Sequence, residues 1–369
     1  MRDGWVETTL DGIADVIMGQ SPDGKSYNQE GKGLPFMQGS AEFGEHNPVP
    51  EKWCTDPKKI AEAGDLLLSV RAPVGDTNFA DQRIAVGRGL SIIRANKESL
   101  TEFIRLVIQL NVAELIASSG SGMFSSITGK NLKEFKVNLP PLSEQKRIVD
   151  LISSVDSYIE ALQQQLESAK RSRNAVLHEL LTAGGDDWVE TTLDRVTECS
   201  WGNTETTKSK YVESGFLAYS ASGADGFLDW FEHDRTAVVL SAIGAQCGKT
   251  WFAEGKWTSI KNTIWLKSDN SNLLDKYLFY LSNTDQFWQI RGQAQPFISL
   301  GDVKKTRVLL PPLREQERIV EVISEMDAFI ESIQRTSMEA KNLRSGLLSD
   351  LLSGSHEIPT IYDKVMGAA

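Results

Sequence analysis

The sequence predicts a mixed α/β protein: two globular regions separated by two long helices packed as an antiparallel coiled coil, arranged as a pseudo-twofold internal repeat. Three observations predict it. The run Leu139-Pro140-Pro141-Leu142-Ser143-Glu144-Gln145-Lys146-Arg147-Ile148-Val149 returns as Leu310-Pro311-Pro312-Leu313-Arg314-Glu315-Gln316-Glu317-Arg318-Ile319-Val320. The opening Trp5-Val6-Glu7-Thr8-Thr9-Leu10-Asp11 returns unchanged as Trp188-Val189-Glu190-Thr191-Thr192-Leu193-Asp194. After each Pro-Pro, apolar residues recur at steps that alternate four and three, the 3.5-residue spacing of a coiled-coil seam.

The helices are the plainest elements. Proline suits a helix start and restricts the residue before it. The first seam runs through Ile148, Ile152, Val155, Ile159, Leu162, Leu166, Ala169, Arg173, Val176 and Leu180. The second runs through Ile319, Ile323, Met326, Ile330, Ile333, Ser337, Ala340, Arg344, Leu347 and Leu351. Each helix holds about 40 residues and spans roughly 60 Å. Ala169 matches Ala340, where a small side chain admits close approach, and Arg173 matches Arg344. An arginine in a seam either fixes the register or carries its charged head out to water. Gly184 and Gly354 follow the last turns, where glycine ends helices. Neither helix has a long partner in its own half, so each is expected to pack on the other. The divisions that follow are 1–138 and 185–309 for the globular regions, 139–184 and 310–354 for the helices, and 355–369 for a loose tail.

Within the globular regions, residues 65–70, 90–93, 237–242 and 263–266 are short apolar runs that read as strands. Glycine and proline punctuate the intervals, as at Ala72-Pro73-Val74-Gly75, Gly244 and Gly248. Residues 98–118 and 271–290 read as amphipathic helices.

Composition narrows the function. The chain has 369 residues, enough for two or three domains, with 40% hydrophobic residues and 24% charged. Cys54, Cys199 and Cys247 lie far apart, and the four histidines are scattered, so neither a disulfide framework nor a metal site is expected. No leader or membrane-length apolar run is visible, and a cytoplasmic protein is expected. A net charge of −11 argues against a simple non-specific DNA binder, without excluding local basic surfaces.

Catalytic motifs fail on spacing. Gly244-Ala245-Gln246-Cys247-Gly248-Lys249-Thr250 has three residues between its glycines where a phosphate-binding loop needs four, and reads as a turn between strands. Asn47-Pro48-Val49-Pro50 lacks the adjacent proline and aromatic of an amino-methyltransferase loop, and no glycine-rich methyl-donor loop follows a strand. Cationic and polar residues do gather at matching places in the two halves. Ser125, Lys130 and Lys133 close the first globular region, and Arg291, Gln293, Gln295 and Lys304 close the second. Arg71, Arg83 and Arg88 form a further set in half one, with Lys249 and Lys261 at comparable places in half two. Hydroxyls and cations position phosphates, while arginine and glutamine read base edges.

These features resemble the specificity subunit of type I restriction–modification enzymes, over nearly the whole chain. The resemblance rests on the doubled Leu-Pro-Pro-Leu-x-Glu-Gln-x-Arg-Ile-Val followed by a long helix, and on the glycine-to-Ile-Ser stretch before it, best matched from Gly292 to Ser299. Gly64-Asp65, Arg71-Ala72-Pro73-Val74-Gly75 and Gly87-Arg88-Gly89 add to it in half one. It implies that each globular region is a target recognition domain reading one half of a bipartite double-stranded DNA target. The helices would fix the spacer and dock modification subunits, two of them expected, with a restriction subunit where one exists. This chain would be non-catalytic. S-adenosylmethionine, and ATP with Mg, would belong to the partners. The rival reading is a coiled-coil adaptor with two protein-binding modules. Inserting four residues near Gln163–Glu167 would keep helical phase and shift the readers by about 6 Å. Methylation mapping is then expected to return unchanged half-sites with an altered spacer; an unaltered spacer would refute the ruler.

Overall fold

The computed structural model describes residues 4–117, 126–284, 286–292, 294–359 and 362. The chain forms two compact units, one of Met1–Leu162 with Thr336–Ala369, the other of Gln163–Arg335.

In unit 1 the elements run β1 (Val6–Thr9), α1 (Leu10–Ile13), β2 (Ala14–Met18), β3 (Tyr27–Asn28), β4 (Leu34–Met37), β5 (Trp53–Cys54), β6 (Ile60–Ala61), β7 (Leu66–Ser69), β8 (Thr77–Phe79), β9 (Ile84–Val86), β10 (Leu90–Ala95), α2 (Thr101–Ala117), α3 (Gly129–Lys133) and β11 (Lys136–Leu139), and lead into α4 (Leu142–Thr182). An antiparallel sheet has the order β2-β10-β7-β8, and a second sheet the order β3-β5-β4-β9-β6. Every residue of β7 is buried. Leu66 and Leu68 pack with Phe103 and Ile104 of α2, while Leu67 faces Met37, Ile84 and Val86 on the other side. The unbroken apolar run therefore reflects a strand covered on both faces.

Unit 2 repeats this plan with β12 (Val189–Thr192), α5 (Leu193–Val196), β13 (Thr197–Trp201), β14 (Phe216–Ser220), β15 (Gly223–Leu228), β16 (His233–Asp234), β17 (Ala237–Ser241), β18 (Thr250–Ala253), β19 (Lys256–Ser259), β20 (Thr263–Ser268), α6 (Asp275–Ser282), α7 (Leu300–Lys305), β21 (Arg307–Leu310) and α8 (Leu313–Leu352). Its main sheet, β13-β20-β17-β18, copies the order of β2-β10-β7-β8, and a second sheet runs β15-β14-β19-β16. Val238 and Leu240 pack with Tyr277 and Leu278, and Val239 packs with Trp257.

The two repeated sequence stretches meet in space. β1 pairs with β11 and β12 with β21, both antiparallel, from Val6 opposite Leu139 and Val189 opposite Leu310. The Pro-Pro motif follows at once. Trp5 Nε1 donates to Glu144 Oε2 at 3.1 Å, and Trp188 Nε1 to Glu315 Oε2 at 3.2 Å. Gln145 and Gln316 are fully buried. Gln145 Oε1 accepts the Leu100 N–H at 2.9 Å, and its Nε2 donates to the Glu98 and Pro140 carbonyls at 2.8 and 2.9 Å. Gln316 does the same with the Leu274 N–H and the Asn272 and Pro311 carbonyls, at 3.0, 2.8 and 2.9 Å. Each amide thus anchors the start of a long helix to the chain just before α2 or α6, and leaves no polar atom of its own unsatisfied.

α4 and α8 give one half to each unit. In unit 1, Ile148 and Ile152 of α4 share a core with Leu348, Leu351 and Leu352 of α8. In unit 2, Leu177 of α4 shares one with Ile319 and Ile323 of α8. Each unit therefore sets the start of one helix against the end of the other. Of the seam residues, Ile148, Ile152, Ile159, Ile319, Ile323 and Ala340 are buried, and Ala169 and Ile330 half-buried. In unit 2, Arg173 Nε reaches Asp327 Oδ1 at 2.9 Å beside the Tyr280 ring. In unit 1, Arg344 Nη2 reaches Asp156 Oδ2 at 2.9 Å. The same 171-residue offset relates Arg173 to Arg344 and Asp156 to Asp327. Both arginines are paired across the helices rather than simply extended to water.

Two elements differ from the sequence reading. The helix expected over 271–290 is confined to Asp275–Ser282. Asp269 caps a turn through the amides of Ser271 and Asn272 before it, and Gln286 has a φ of +63° beyond it. Of the tail expected to be loose from 355, Ile358 is 5% exposed in the unit 1 core and Tyr362 packs against the same core, while 360–361 and 363–369 lie outside the described residues.

Gln145→Leu and Gln316→Leu each orphan a buried N–H and carbonyls, at a cost of about 2 kcal/mol or more. Urea denaturation is expected to show that loss, with faster amide exchange at the start of α2 or α6.

Candidate nucleic-acid interface

β7 and β17, each buried throughout, end in the same backbone arrangement. Past β7, the Val70 N–H donates to the Gly89 carbonyl at 2.9 Å, and the Val70 carbonyl accepts the Ile127 N–H at 3.0 Å. Past β17, the Ala242 N–H donates to the Asn262 carbonyl at 2.9 Å, and the Ala242 carbonyl accepts the Ile298 N–H at 2.8 Å. One residue further, Arg71 bridges Ser126 in unit 1 and Ile243 bridges Phe297 in unit 2. Three loops per unit are thereby knit into one platform at the edge of the main sheet.

Local sequence explains the joints. A side chain at Gly89 would place its Cβ 2.3 Å from the Gln38 carbonyl oxygen, so only glycine fits. Asn262 sits at φ +72°, a region that asparagine tolerates better than most residues. Ile127 and Ile298 are buried plugs, and the hydroxyls of Thr128 and Ser299 then accept the Asn131 and Asp302 amides, capping α3 and α7. This is the structural content of the Ile-Ser pattern.

The platforms gather part of the residue set expected from sequence. Arg88 immediately precedes Gly89, and Lys261 immediately precedes Asn262, so the two occupy matching steps. Arg71, Arg88, Lys249 and Lys261 are exposed, without a carboxylate partner among the described residues. Gln295 is exposed on the unit 2 platform, and Arg291 there contacts Asp302. Ser299 hydrogen bonds, more than the Arg291 charge, hold the Asp302 carboxyl below the usual carboxylate range against a smaller opposing effect of burial. Ser125 and Gln293 lie outside the described residues.

Other expected cations sit elsewhere, and Arg83, Lys130 and Lys133 are ion-paired there. Arg83, beside β9, is 3.4 Å from Glu62. Lys130 is 3.9 Å from Glu134 within α3, and Lys133 is 3.0 Å from Asp11 of α1, near the β1–β11 pair. Lys304 is exposed on α7, on the Cys199 side, where burial raises the Cys199 thiol despite the lysine.

Several platform residues gave no sequence signal. Gln38 accepts the Gly89 N–H through its carbonyl at 3.0 Å, and Ser21 Oγ lies 3.3 Å from its side-chain oxygen. In unit 2, Thr206 accepts the Lys261 N–H at 3.2 Å, and Asp225 accepts from Lys208, Tyr211 and Ser220. Burial acts to raise the Asp225 carboxyl, but those donors outweigh it and leave it lowered. Ser220 ends β14 and Asp225 lies in β15, while the others lie in polar segments without periodicity, and only the fold assembles them. Glu45, His46 and Glu160 of unit 1 bring ligand atoms within 4.8 Å of one another, but none of the three is buried.

Each unit also carries one apolar groove on its helix pair. In unit 1 it lies among Val155, Tyr158, Thr336, Ala340 and Leu343. In unit 2 it lies among Gln165, Ala169, Ser172, Met326 and Phe329. The 171-residue offset relates these two sets position by position. Tyr158 and Phe329, at matching positions, are 53% and 51% exposed.

The architecture is thus that of a doubled binding protein, with one loop platform in each of two α/β units and no described helix long and apolar enough to cross a membrane. The chain belongs to the type I restriction modification DNA specificity family, whose profile matches residues 2–171 and again 185–342. It is similar to the putative type I restriction enzyme MjaX specificity subunit of Methanocaldococcus jannaschii, at 41% identity over 45% of this chain and 40% of that protein. It therefore spans less than half of that relative. The EcoBI specificity subunit of Escherichia coli is 20% identical over 99% of this chain and 92% of its own length. Among solved structures, the S subunit of a type I restriction–modification system from M. genitalium matches at a TM-score of 0.61 and 16% identity, covering 96% of this chain and 97% of that one. A chain from a structure of complex assembly and conformational transition in a type I restriction–modification system matches at 0.65 and 18%, covering 95% and 98%. At these identities, the solved structures support the shared fold.

Proposed function

We propose that this chain is the sequence-specific DNA-binding specificity subunit of a type I restriction–modification complex. Residues 1–138 and 185–309 act as target recognition domains, each reading one half of a bipartite double-stranded target. Residues 139–184 and 310–354 form the antiparallel coiled coil that sets the spacer. The observation that carries the reading is the matched pair of platforms, each presenting cations without a carboxylate partner among the described residues on a hydrogen-bonded backbone frame. Two exposed readers on a helical frame suit the major groove, where each base pair presents a distinct edge.

The chain itself is non-catalytic in this reading. Modification subunits, one on each helix groove, bring S-adenosylmethionine, and a restriction subunit, where present, brings ATP and Mg. The matched grooves with Tyr158 and Phe329 support two equivalent docking sites. The net charge of −11 supports a division of labour in which partners neutralise much of the phosphate backbone.

Two measurements test it. Titration of labelled target is expected to give weak binding by the isolated chain and tight, specific binding once modification subunit is added; tight binding by the chain alone would contradict the dependence. In the complex, Arg88→Ala and Lys261→Ala are each expected to lower the slope of log affinity against log salt by about 0.9 where the side chain meets a phosphate, or to relax one base position where it meets a base edge. Lys133→Ala, whose side chain is paired with Asp11, is expected to change neither.

A further inference from the structure

The two platforms share a frame but differ in surface chemistry. At the bridge after the buried strand, unit 1 has Arg71 opposite Ser126, and unit 2 has Ile243 opposite Phe297. Phe297 is 40% exposed and Ile290 is 51% exposed. Neither exposure is needed to build the loop. Arg291 and Phe297 exchange backbone hydrogen bonds of 2.9 and 2.8 Å, and the core plug is the next residue, Ile298, at 1% exposure. Gly248, at φ +94°, leaves room for Ile290, whose Cδ1 lies 3.0 Å from where a Cβ would stand. The turn therefore holds an apolar side chain outward over a tight backbone. Lys249 and Lys261 stand exposed on the same three loops.

An apolar spot on loops that also carry exposed cations is a poor match for water and a good match for a polyanion with one greasy feature. In the major groove that feature is the 5-methyl group of thymine, which adenine, guanine and unmodified cytosine lack. Resting on the DNA-reading function proposed above, we infer that the unit 2 platform recognises a thymine through its 5-methyl group, packed against Phe297 and Ile290. Lys249 and Lys261 hold the flanking phosphates. The unit 1 platform, with Arg71, Arg88 and Ser126 at the described positions, reads through hydrogen bonds instead.

The test uses the reconstituted complex of this chain with its modification subunits, on the target defined by methylation mapping. Each thymine in both half-sites is replaced singly by deoxyuridine, which removes only the methyl. In the wild-type complex, one such replacement is expected to raise Kd roughly fourfold, the value of one buried methyl. With Phe297→Ala the same replacement is expected to change Kd less than about 1.5-fold, with Ile290→Ala giving an intermediate response. Both side chains are exposed, so folding is expected to survive, and unfolding curves check it. If every thymine responds equally in wild type and Phe297→Ala, the inference is overturned. It is equally overturned if Phe297→Ala weakens all DNA alike, the mark of a wedge between bases rather than a methyl contact. Absence of specific binding to the unsubstituted target would instead refute the DNA-reading function itself.

Discussion

The buried glutamine amide that follows each Pro-Pro is the joint on which the structure depends. A carboxamide has two donor hydrogens and one acceptor oxygen, and Gln145 and Gln316 satisfy all of them at zero exposure. Their partners lie on both sides of the joint. One carbonyl belongs to the motif itself, and the remaining groups belong to the chain that opens α2 or α6. The Trp–Glu hydrogen bond adds the segment before β1 or β12 to the same node. In a dry environment an unmet amide group is costly, so this geometry tolerates little drift. Three distant segments of each globular region are thereby fixed to the first turn of a long helix.

Some cations of the globular regions are ion-paired and others are not. Lys133, Lys136 and Arg307 lie near the β1–β11 and β12–β21 pairs, and each has a carboxylate from Asp11, Glu7 or Glu190. Arg71, Arg88, Lys249 and Lys261 have none among the described residues, and all four lie on the loop platforms. Other basic groups, Lys97 and Lys304 among them, are also exposed without a carboxylate partner among the described residues, so an acidic chain still carries local cationic surface at the platforms and beyond them. Net charge is a poor guide to such a surface.

The helix pair shows why a polar residue is tolerated in an apolar seam. Arg173 and Arg344 interrupt the heptads at equivalent depth, and each meets the repeat-equivalent aspartate of the opposite helix. These pairs are half-exposed, so their net stabilisation is modest. Their geometric effect is greater. A slip of one turn would leave two guanidinium groups and two carboxylates unmatched, which selects one register.

Much of this was legible in the sequence. The doubled words located the two long helices, the 3.5-residue spacing named Ile148, Ile152, Ile319 and Ile323 as buried, and unbroken apolar runs marked β7 and β17. These signals are local or periodic, and a linear reading recovers them. What only the tertiary structure decided is which distant residues meet. It joined the opening echo to the segment before Pro-Pro and paired each seam arginine with an aspartate 154 or 188 residues away. It also separated Arg88 and Lys261, on matching platform steps, from Arg83, Lys130 and Lys133, which are engaged elsewhere. The sequence determined the frame because helices and buried strands are dictated by near neighbours and burial period. Loop platforms are set by backbone hydrogen bonds between segments far apart in the chain, and no spacing along the sequence encodes those.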